Sequence, residues 1–359
     1  MESVSTKKFL QTFIWSTILL SALAIYQTIQ QGFELEIIIL RSKWVFLLGL
    51  FALNIIAGIF SLRYLSTEDG SRLAERFEFN SSNKLLGVIL VVSGFSFVWI
   101  LRLFLFRDVL PQVAPIFWVF LWASLVQALG LKLISGHKWH ILFALVILVQ
   151  GLIYQIYGHL TSITDYPFSI GYSEASRHYY ASMFFAEKLY EIKLPLPFLH
   201  PTRYFLMSLP FLVDGLPLWF HRMWQALLWI GLTAASSILL ARRLRLNGWM
   251  QFFITSWAFL FFLQGAVYYH LQICVILILA GVSTKNLWRS FVFILIASIW
   301  AGVSRVNWFP VPAMLAIAIY ILETPFGSKG WRYWLTPFVW GVCGLGFAIV
   351  SQFVYINIS

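Results

Sequence analysis

The sequence predicts an all-α polytopic membrane protein, with about 11 transmembrane helices and two amphipathic surface helices in one large extracytoplasmic loop. Of the 359 residues, 60% are hydrophobic and 11% are charged, whereas a soluble domain has about 25% charged residues. Apolar runs of about 20 residues, the length that crosses a bilayer, recur along the chain. One long polar stretch, residues 165–222, interrupts them.

The apolar runs are the direct evidence for the spans, because a helix rises about 1.5 Å per residue and the hydrocarbon core is about 30 Å thick. They predict membrane helices at 9–29, 44–62, 85–106, 113–134, 139–158, 219–241, 248–265, 267–284, 287–304, 309–322 and 333–355. We group them into an N-terminal four-span region, 1–138, and a seven-span region, 139–359, that contains the extracytoplasmic loop 159–218.

The charge distribution gives an orientation. The net charge is +11, and most of the basic residues lie in short loops on one side of the predicted spans, as they do on the cytoplasmic side of membrane proteins. The N-terminus is therefore expected in the cytoplasm and the long loop outside. Basic residues dispersed in this way indicate contact with membrane lipid and argue against a nucleic-acid partner.

Two further features limit the alternatives. Cys274 and Cys343 both lie in apolar runs, so they form neither a disulfide framework nor a metal-binding pair. Lys7 and Lys8 precede an apolar run that starts at Phe9, which resembles a signal peptide. Its length of about 20 residues favours a retained span over a cleaved leader.

The long loop is predicted to form two surface helices. From Ser173, apolar residues recur at helical spacing and make one stripe, Ala175, Tyr179, Met183, Ala186 and Tyr190. The pattern predicts an amphipathic helix on the outer membrane surface. A second helix is expected to begin at His200-Pro201 and to stop near Gly215, since proline is favoured at the first helical position.

Carboxylates that could act as a base are few. After Gly215 the sequence has one carboxylate, Glu323, and the orientation places it on the cytoplasmic side. Outward-facing acids must therefore come from the long loop, or from the early loops that hold Glu34, Glu36 and Asp108. Asp165 and Glu174 are the leading pair.

The region around the long loop resembles the GT-C superfamily, membrane glycosyltransferases that use polyprenyl-phosphate-linked sugars. An acidic residue opens a surface helix, a proline-flanked second helix follows, and a span then ends in an Arg-Arg turn. The matching stretches are 171–180, 197–204, 220–222 and 240–243, and the resemblance covers roughly residues 139–355. It implies an inverting hexosyl transfer, similar to that of mannosyltransferases, from a lipid-linked sugar donor to an acceptor that the sequence does not identify.

The resemblance also implies a catalytic carboxylate. In the superfamily the acidic residue of this loop takes the proton of the acceptor hydroxyl, and by position it falls on Glu174, with Asp165 as the alternative. General-base catalysis of this kind typically contributes about 10²–10⁴-fold.

The leaving group of such a reaction is a lipid phosphate, which requires fixed positive charge or hydrogen-bond donors at the membrane edge. Arg305 is the first candidate because it lies where a predicted span meets the outer interface. Arg203, Arg222 and His270 are further candidates for phosphate binding, and His178 and His200 are supporting candidates.

Each candidate also has an ordinary structural interpretation. Glu174 suits the first turn of a helix, Asp165 before Tyr-Pro suits a turn, and Arg305 suits the interface. Glu174 and His178, four residues apart, could hold a divalent metal with Asp165, although such a Glu–His pair is common on solvated helix surfaces. The sequence identifies no other cofactor.

Two other functions compete with glycosyl transfer. A transporter or flippase of a lipid-linked substrate would tend to place ionisable residues in mid-span, and the predicted spans carry no carboxylate at that depth, although Pro310 and Pro312 interrupt one of them. The other is a catalytically inactive GT-C-like scaffold.

Overall fold

The computed structural model describes residues 6–34, 43–76, 83–100, 113–326 and 330–359. Within these ranges the protein is helical and contains no β-strand. Glu36, Asp108 and the end of the predicted third span, 101–106, lie outside the described residues. The all-α class predicted from hydropathy is confirmed.

The chain divides into two compact units, Met1–Gly151 and Leu152–Ser359. The division falls inside a helix that begins at Trp139, whereas the sequence placed it at 138/139, before that helix. The helices of the first unit are α1 Thr6–Glu34, α2 Lys43–Leu65, α3 Glu68–Arg76, α4 Lys84–Ile100, α5 Val113–Ser135 and the start of α6 Trp139–Leu160.

Aromatic packing and close backbone approach hold the first unit together. Phe51 and Trp118 pack edge to face with centroids 5.4 Å apart, which joins α2 to α5. The helices α4 and α5 meet at Gly87 and Gly130, where a Cβ on Gly130 would lie 2.5 Å from the carbonyl oxygen of Gly87. Small residues allow this contact, as they do between membrane helices in general.

The second unit contains the rest of α6, the long loop and six helices that follow the loop. Its loop helices are α7 Glu174–Ser182, α8 Ala186–Tyr190 and α9 Pro201–Ser208, with 3₁₀ turns at Met183–Phe185 and Leu209–Leu212. The remaining helices are α10 Leu218–Arg243, α11 Gly248–Phe261, α12 Tyr269–Gly281, α13 Leu287–Ser304, α14 Val311–Glu323 and α15 Arg332–Ile358.

Among the described residues, eight helices are long and apolar enough to cross a membrane, as expected of a polytopic membrane protein. They are α1, α2, α5, α6, α10, α13, α15 and the segment Val306–Glu323, which includes α14. Lys84–Ile100 and Tyr269–Gly281 are apolar but shorter. Helices therefore lie at all the predicted stretches, and the count of 11 spans stays a prediction.

Arg243 joins the ends of three helices in the second unit. Its guanidinium donates to both carboxylate oxygens of Glu323 at 2.7 and 2.9 Å, and to the carbonyl oxygens of Leu279 and Val282. The last turn of α12 leaves carbonyl groups without helical partners, and a cation at that position is favourable. The single carboxylate of the late sequence therefore has a structural partner.

Candidate functional site

The long loop is attached to α10 by a buried ion pair between Glu174 and Arg222. Arg222 lies in the first turns of α10 and Glu174 is the first residue of α7. Arg222 Nε donates to Glu174 Oε1 at 2.8 Å, and Nη2 donates to Oε2 at 3.2 Å. The side chain of Arg222 is 3% exposed and that of Glu174 is 12% exposed. This is the bidentate arrangement that makes an arginine–carboxylate pair strong and directional.

The other N–H groups of Arg222 hold the start of the loop. Nη1 donates to the carbonyl oxygens of Thr164 and Tyr166 at 2.6 and 2.9 Å, and Nη2 donates to the carbonyl oxygen of Phe168 at 3.1 Å. A guanidinium has five N–H donors, and these bonds with the two to Glu174 occupy all of them. Arg222 therefore has no donor left for a phosphate, and this geometry does not support its predicted role as a phosphate ligand.

Glu174 is an ionised carboxylate. Burial raises its pKa, but the hydrogen bonds from Arg222 and from the Ile170 N–H, at 2.7 Å, together with the charge of Arg222, bring that pKa below its ordinary value of 4.5. Hydrogen bonds to the charged form have this effect. Glu174 therefore carries its negative charge at neutral pH, and the pair with Arg222 lowers its basicity.

His178 lies one turn after Glu174 and is neutral. Its Nε2 is 3.8 Å from Glu174 Oε1, and its ring meets that of His221 at 6.0 Å between centroids. Burial lowers the pKa of His178 to about 4, although the charge of Glu174 opposes the shift. Among the described residues, no group of three His, Cys, Asp or Glu side chains could hold a metal ion, so the Glu174–His178–Asp165 set is not brought together.

Asp165 is exposed and caps α10 from outside that helix. Its Oδ1 accepts from the backbone N–H of Trp219 at 3.0 Å. Helix N-termini have unpaired N–H groups and a partial positive charge, and a carboxylate there is stabilising. The geometry of Asp165 is thus that of a cap.

A second group of predicted residues forms a cationic cluster, defined here as Arg203, Arg305, His200 and His270 around the ring of Tyr268. The guanidinium carbons of Arg203 and Arg305 lie 6.0 and 5.7 Å from the Tyr268 centroid. The His270 ring is 6.1 Å from Tyr268 and 6.2 Å from His200. The structure therefore brings together four of the side chains predicted to bind or support a phosphate.

Three helices, α9, α12 and α13, meet to build the cationic cluster. His200 precedes α9 in a left-handed conformation, with φ 54°, which is rare for residues other than glycine and is found at functional sites. Hydroxyl groups of Thr202 and Ser304 are hydrogen bonded, which fixes α9 to the end of α13 beside Arg305. Trp300 Nε1 donates to the carbonyl oxygen of His270 at 2.8 Å, which fixes the start of α12.

Several nitrogen atoms of the cationic cluster are buried without a hydrogen-bond partner in the described part of the chain. They are Nε of Arg203, both ring nitrogens of His270 and Nδ1 of His200. His270 is 2% exposed, and no ion pair joins Arg203 or Arg305 to a carboxylate among the described residues. Buried polar atoms normally have partners. A positively charged site with free donors is therefore suited to an anion.

A pocket of about 180 Å³ opens beside the Glu174–Arg222 pair, and we call it the Glu174 pocket. Its lining includes Glu174, Arg177, Arg222, Gln225 and Trp229. The indole of Trp229 lies 6.0 Å from the Tyr268 ring. Burial and then the charge of Arg203 lower the pKa of Arg177, so the two guanidinium groups are within electrostatic range.

An apolar groove of about 320 Å³ is lined by residues adjacent in sequence to members of the cationic cluster. It runs between α9, α13 and α15, and its lining includes Phe184, Phe205, Ile299, Trp300 and Tyr355. Thr202 and Val303 also line it, and they are sequence neighbours of Arg203 and Ser304-Arg305. A ligand with an anionic group and an apolar chain could therefore use both features at once.

Sequence reasoning did not select Arg177, Gln225 or Trp229. Gln225 and Trp229 occur inside an apolar run of α10 and follow Arg222 by one and two helical turns, respectively, which is the spacing of one helix face. This spacing could have indicated that both residues share the site with Arg222. Tyr268 was not predicted as a site residue either.

Comparisons with protein-family models, with curated proteins and with solved structures give no match to this chain.

The neutral state of His178 predicts a specific dependence of stability on pH. Between pH 6.5 and about 4 the unfolded chain binds a proton at this residue that the folded chain does not, so stability is lost as the pH falls through that window. We expect the His178 contribution to approach about 1.4 kcal/mol per pH unit, with Glu174 adding a loss at lower pH. Unfolding in detergent, followed at several pH values, measures the slope.

The variant His178→Gln should reduce this slope by the His178 contribution, while His137→Gln, which removes an exposed histidine, should leave it unchanged. An unaltered slope in His178→Gln would show that the pH dependence arises elsewhere.

Proposed function

We propose that this chain is a GT-C-like glycosyltransferase that moves a sugar from a polyprenyl-phosphate-linked donor to an acceptor on the extracytoplasmic face. The proposal includes 11 spans, a cytoplasmic N-terminus and an extracytoplasmic loop 159–218 that carries α7, α8 and α9. The observation that carries it is the cationic cluster with unpartnered buried nitrogens, next to the apolar groove.

The cationic cluster is the proposed binding site of the donor phosphate. Arg203 and Arg305 supply planar forks of N–H donors, which suit phosphate oxygens, and His200 and His270 add donors in a buried setting. The same groups would stabilise the lipid phosphate as it leaves, and fixed donors in a water-poor site are effective for this purpose. The apolar groove would take the first isoprene units of the donor.

The Glu174 pocket is the proposed binding site of the transferred sugar. Trp229 offers an aromatic face, and Arg177 and Gln225 offer hydrogen-bonding groups. Glu174 is the preferred base because it lines this pocket, whereas Asp165 is occupied at the start of α10. The base would accept the proton of the acceptor hydroxyl while the anomeric carbon exchanges its bond to the phosphate for one to the acceptor.

A transporter or flippase is the second candidate, and an irregular segment directly after α11 favours it. The segment Phe262–Ala266 is π-helical, and Gly265 has φ 88° and ψ 14°, outside helical values. It precedes Tyr268 of the cationic cluster. Interrupted helices next to a binding site are common in transporters.

One experiment separates these functions. The full chain is reconstituted in liposomes with polyprenyl-phosphate-[³H]mannose or the glucose analogue, and membrane extract is supplied as the acceptor source. We expect label to leave the lipid fraction and polyprenyl phosphate to accumulate, and Arg305→Gln to reduce both.

The control Arg242→Gln changes an exposed arginine at the opposite end of α10 and should transfer normally. Label that changes leaflet while still attached to lipid would favour the flippase. Donor binding without transfer or translocation would favour the inactive scaffold.

A further inference from the structure

A cleft of about 800 Å³ opens between the first turns of α13 and α15, and none of its lining residues belongs to the candidate site. Its lining is aromatic and aliphatic with one cation, and includes Trp288, Phe291, Trp331, Arg332, Val339 and Trp340. We call it the α13–α15 cleft. It is separate from the Glu174 pocket and from the apolar groove, because it shares no residue with either.

The cleft exists because the two helices touch at one end and not at the other. Near the end of α13, a Cβ on Gly302 would lie 2.2 Å from the carbonyl oxygen of Ala348, and Ser351 Oγ donates to the carbonyl oxygen of Ile299 at 3.2 Å. Glycine permits this backbone approach. At the first turns, the cleft separates the two helices. The indoles of Trp288 and Trp331, which are 73% and 68% exposed, line it there.

The rim of the cleft is positive. Arg332 lines it and is exposed, and exposed Lys285 and Arg289 flank the start of α13. Arg289 donates to the carbonyl oxygen of Ala280. After Asp214 the sequence has one carboxylate, Glu323, and it is bound in two places by Arg243. Both helices also direct their N-terminal ends toward the cleft, which adds partial positive charge.

We propose that the α13–α15 cleft binds one anionic phospholipid, with its phosphate at Arg332 and an acyl chain between the aromatic side chains. Basic pockets between membrane helices bind anionic headgroups, and each cation near the surface contributes to selectivity. Tryptophan indoles favour the level of the headgroups, with the ring in an apolar setting and the N–H toward water. A zwitterionic lipid fills the same cleft and gains nothing from the net charge of the rim. This inference does not depend on glycosyl transfer.

Native mass spectrometry of the full chain tests the charge requirement. The protein is released from mixed micelles that contain equal amounts of phosphatidylglycerol and phosphatidylcholine. We expect phosphatidylglycerol to be retained preferentially, and Arg332→Gln to weaken its binding about fivefold, the effect of one cation near the surface. The control Arg242→Gln removes an exposed arginine at the same end of the bundle and should retain the lipid as wild type does.

A second variant tests the apolar part. Val339 lines the cleft and is 37% exposed, so Val339→Trp should fill the cleft without removing charge and should reduce retention of phosphatidylglycerol. Its melting temperature reports whether the variant folds. If it does not fold, retention of phosphatidylglycerol by Arg332→Gln is the deciding measurement. Equal retention of both lipids, or wild-type retention by Arg332→Gln, would overturn the proposal. A dimer of this chain that dissociates in Val339→Trp would show that a second copy occupies the cleft instead.

Discussion

Replacing Arg222 with methionine will lower the free energy of unfolding by about 3–5 kcal/mol, the range found when one partner of a buried ion pair is removed. Glu174 would be left as a charged group with little access to water, since its side chain is 12% exposed. The carbonyl groups of Thr164, Tyr166 and Phe168 would lose their donors as well. Denaturation in detergent, with the helical signal as the readout, measures the loss.

Arg243→Met is the matched control, because Arg243 also forms a bidentate ion pair, with Glu323, at the other end of α10. Its partner Glu323 has a side chain that is 37% exposed, so water compensates part of the loss and the ion-pair contribution is expected to be about 1 kcal/mol or less. If the two variants lost equal stability, burial would not be what makes the Glu174–Arg222 pair strong.

Removing both partners of the Glu174–Arg222 ion pair distinguishes a catalytic role of Glu174 from a structural one. The double variant Glu174→Leu with Arg222→Met removes both charges and should recover much of the stability that Arg222→Met loses, as apolar replacement of a buried pair commonly does. A base cannot be recovered in this way. We therefore expect the double variant to fold and to transfer no sugar, and transfer by that variant would reject Glu174 as the base.

Replacing Arg203 and Arg305 together with glutamine will weaken binding of polyprenyl phosphate by about 10²-fold or more. A hydrogen bond to a charged group contributes about 1.5–3 kcal/mol, and each 1.4 kcal/mol is about tenfold in affinity. Lysine at both positions should give an intermediate loss, because it keeps the charge and removes the planar fork. Binding of a short-chain polyprenyl phosphate to protein in nanodiscs, followed by tryptophan fluorescence, measures the affinity.

The control for this experiment is Arg222→Lys, which alters a guanidinium that has all its N–H groups bound within the protein. We expect it to lower stability more than affinity. Unchanged affinity in the Arg203 and Arg305 double variant would remove the phosphate site from the proposed function.

Hydropathy along the chain is sufficient to predict the helical class and the positions of the helices. Membrane helices bury an apolar surface in lipid, so hydropathy alone marks where they lie. The loop helices also begin close to where they were predicted, at Glu174 and Pro201, because helix starts depend on local residue preferences. The predicted first helix is nevertheless interrupted by the 3₁₀ turn Met183–Phe185.

The tertiary structure decided which face of that helix meets the protein. Ala175 and Tyr179 of the apolar stripe are exposed, whereas Glu174 is buried and His178 is half-buried. A polar face can turn inward only where partners satisfy it, and Arg222, far along the chain, supplies them. Periodicity carries no information about such a partner.

The tertiary structure also sorted the candidate residues into different roles. Arg222 and Asp165 hold the loop to α10, while Arg203, Arg305, His200 and His270 meet around Tyr268. Sequence predicted the types of these side chains because the chemistry of a phosphate requires them. Their partners were decided only by folding, since hydrogen bonds and ion pairs form over a few ångströms between segments that are distant in the chain.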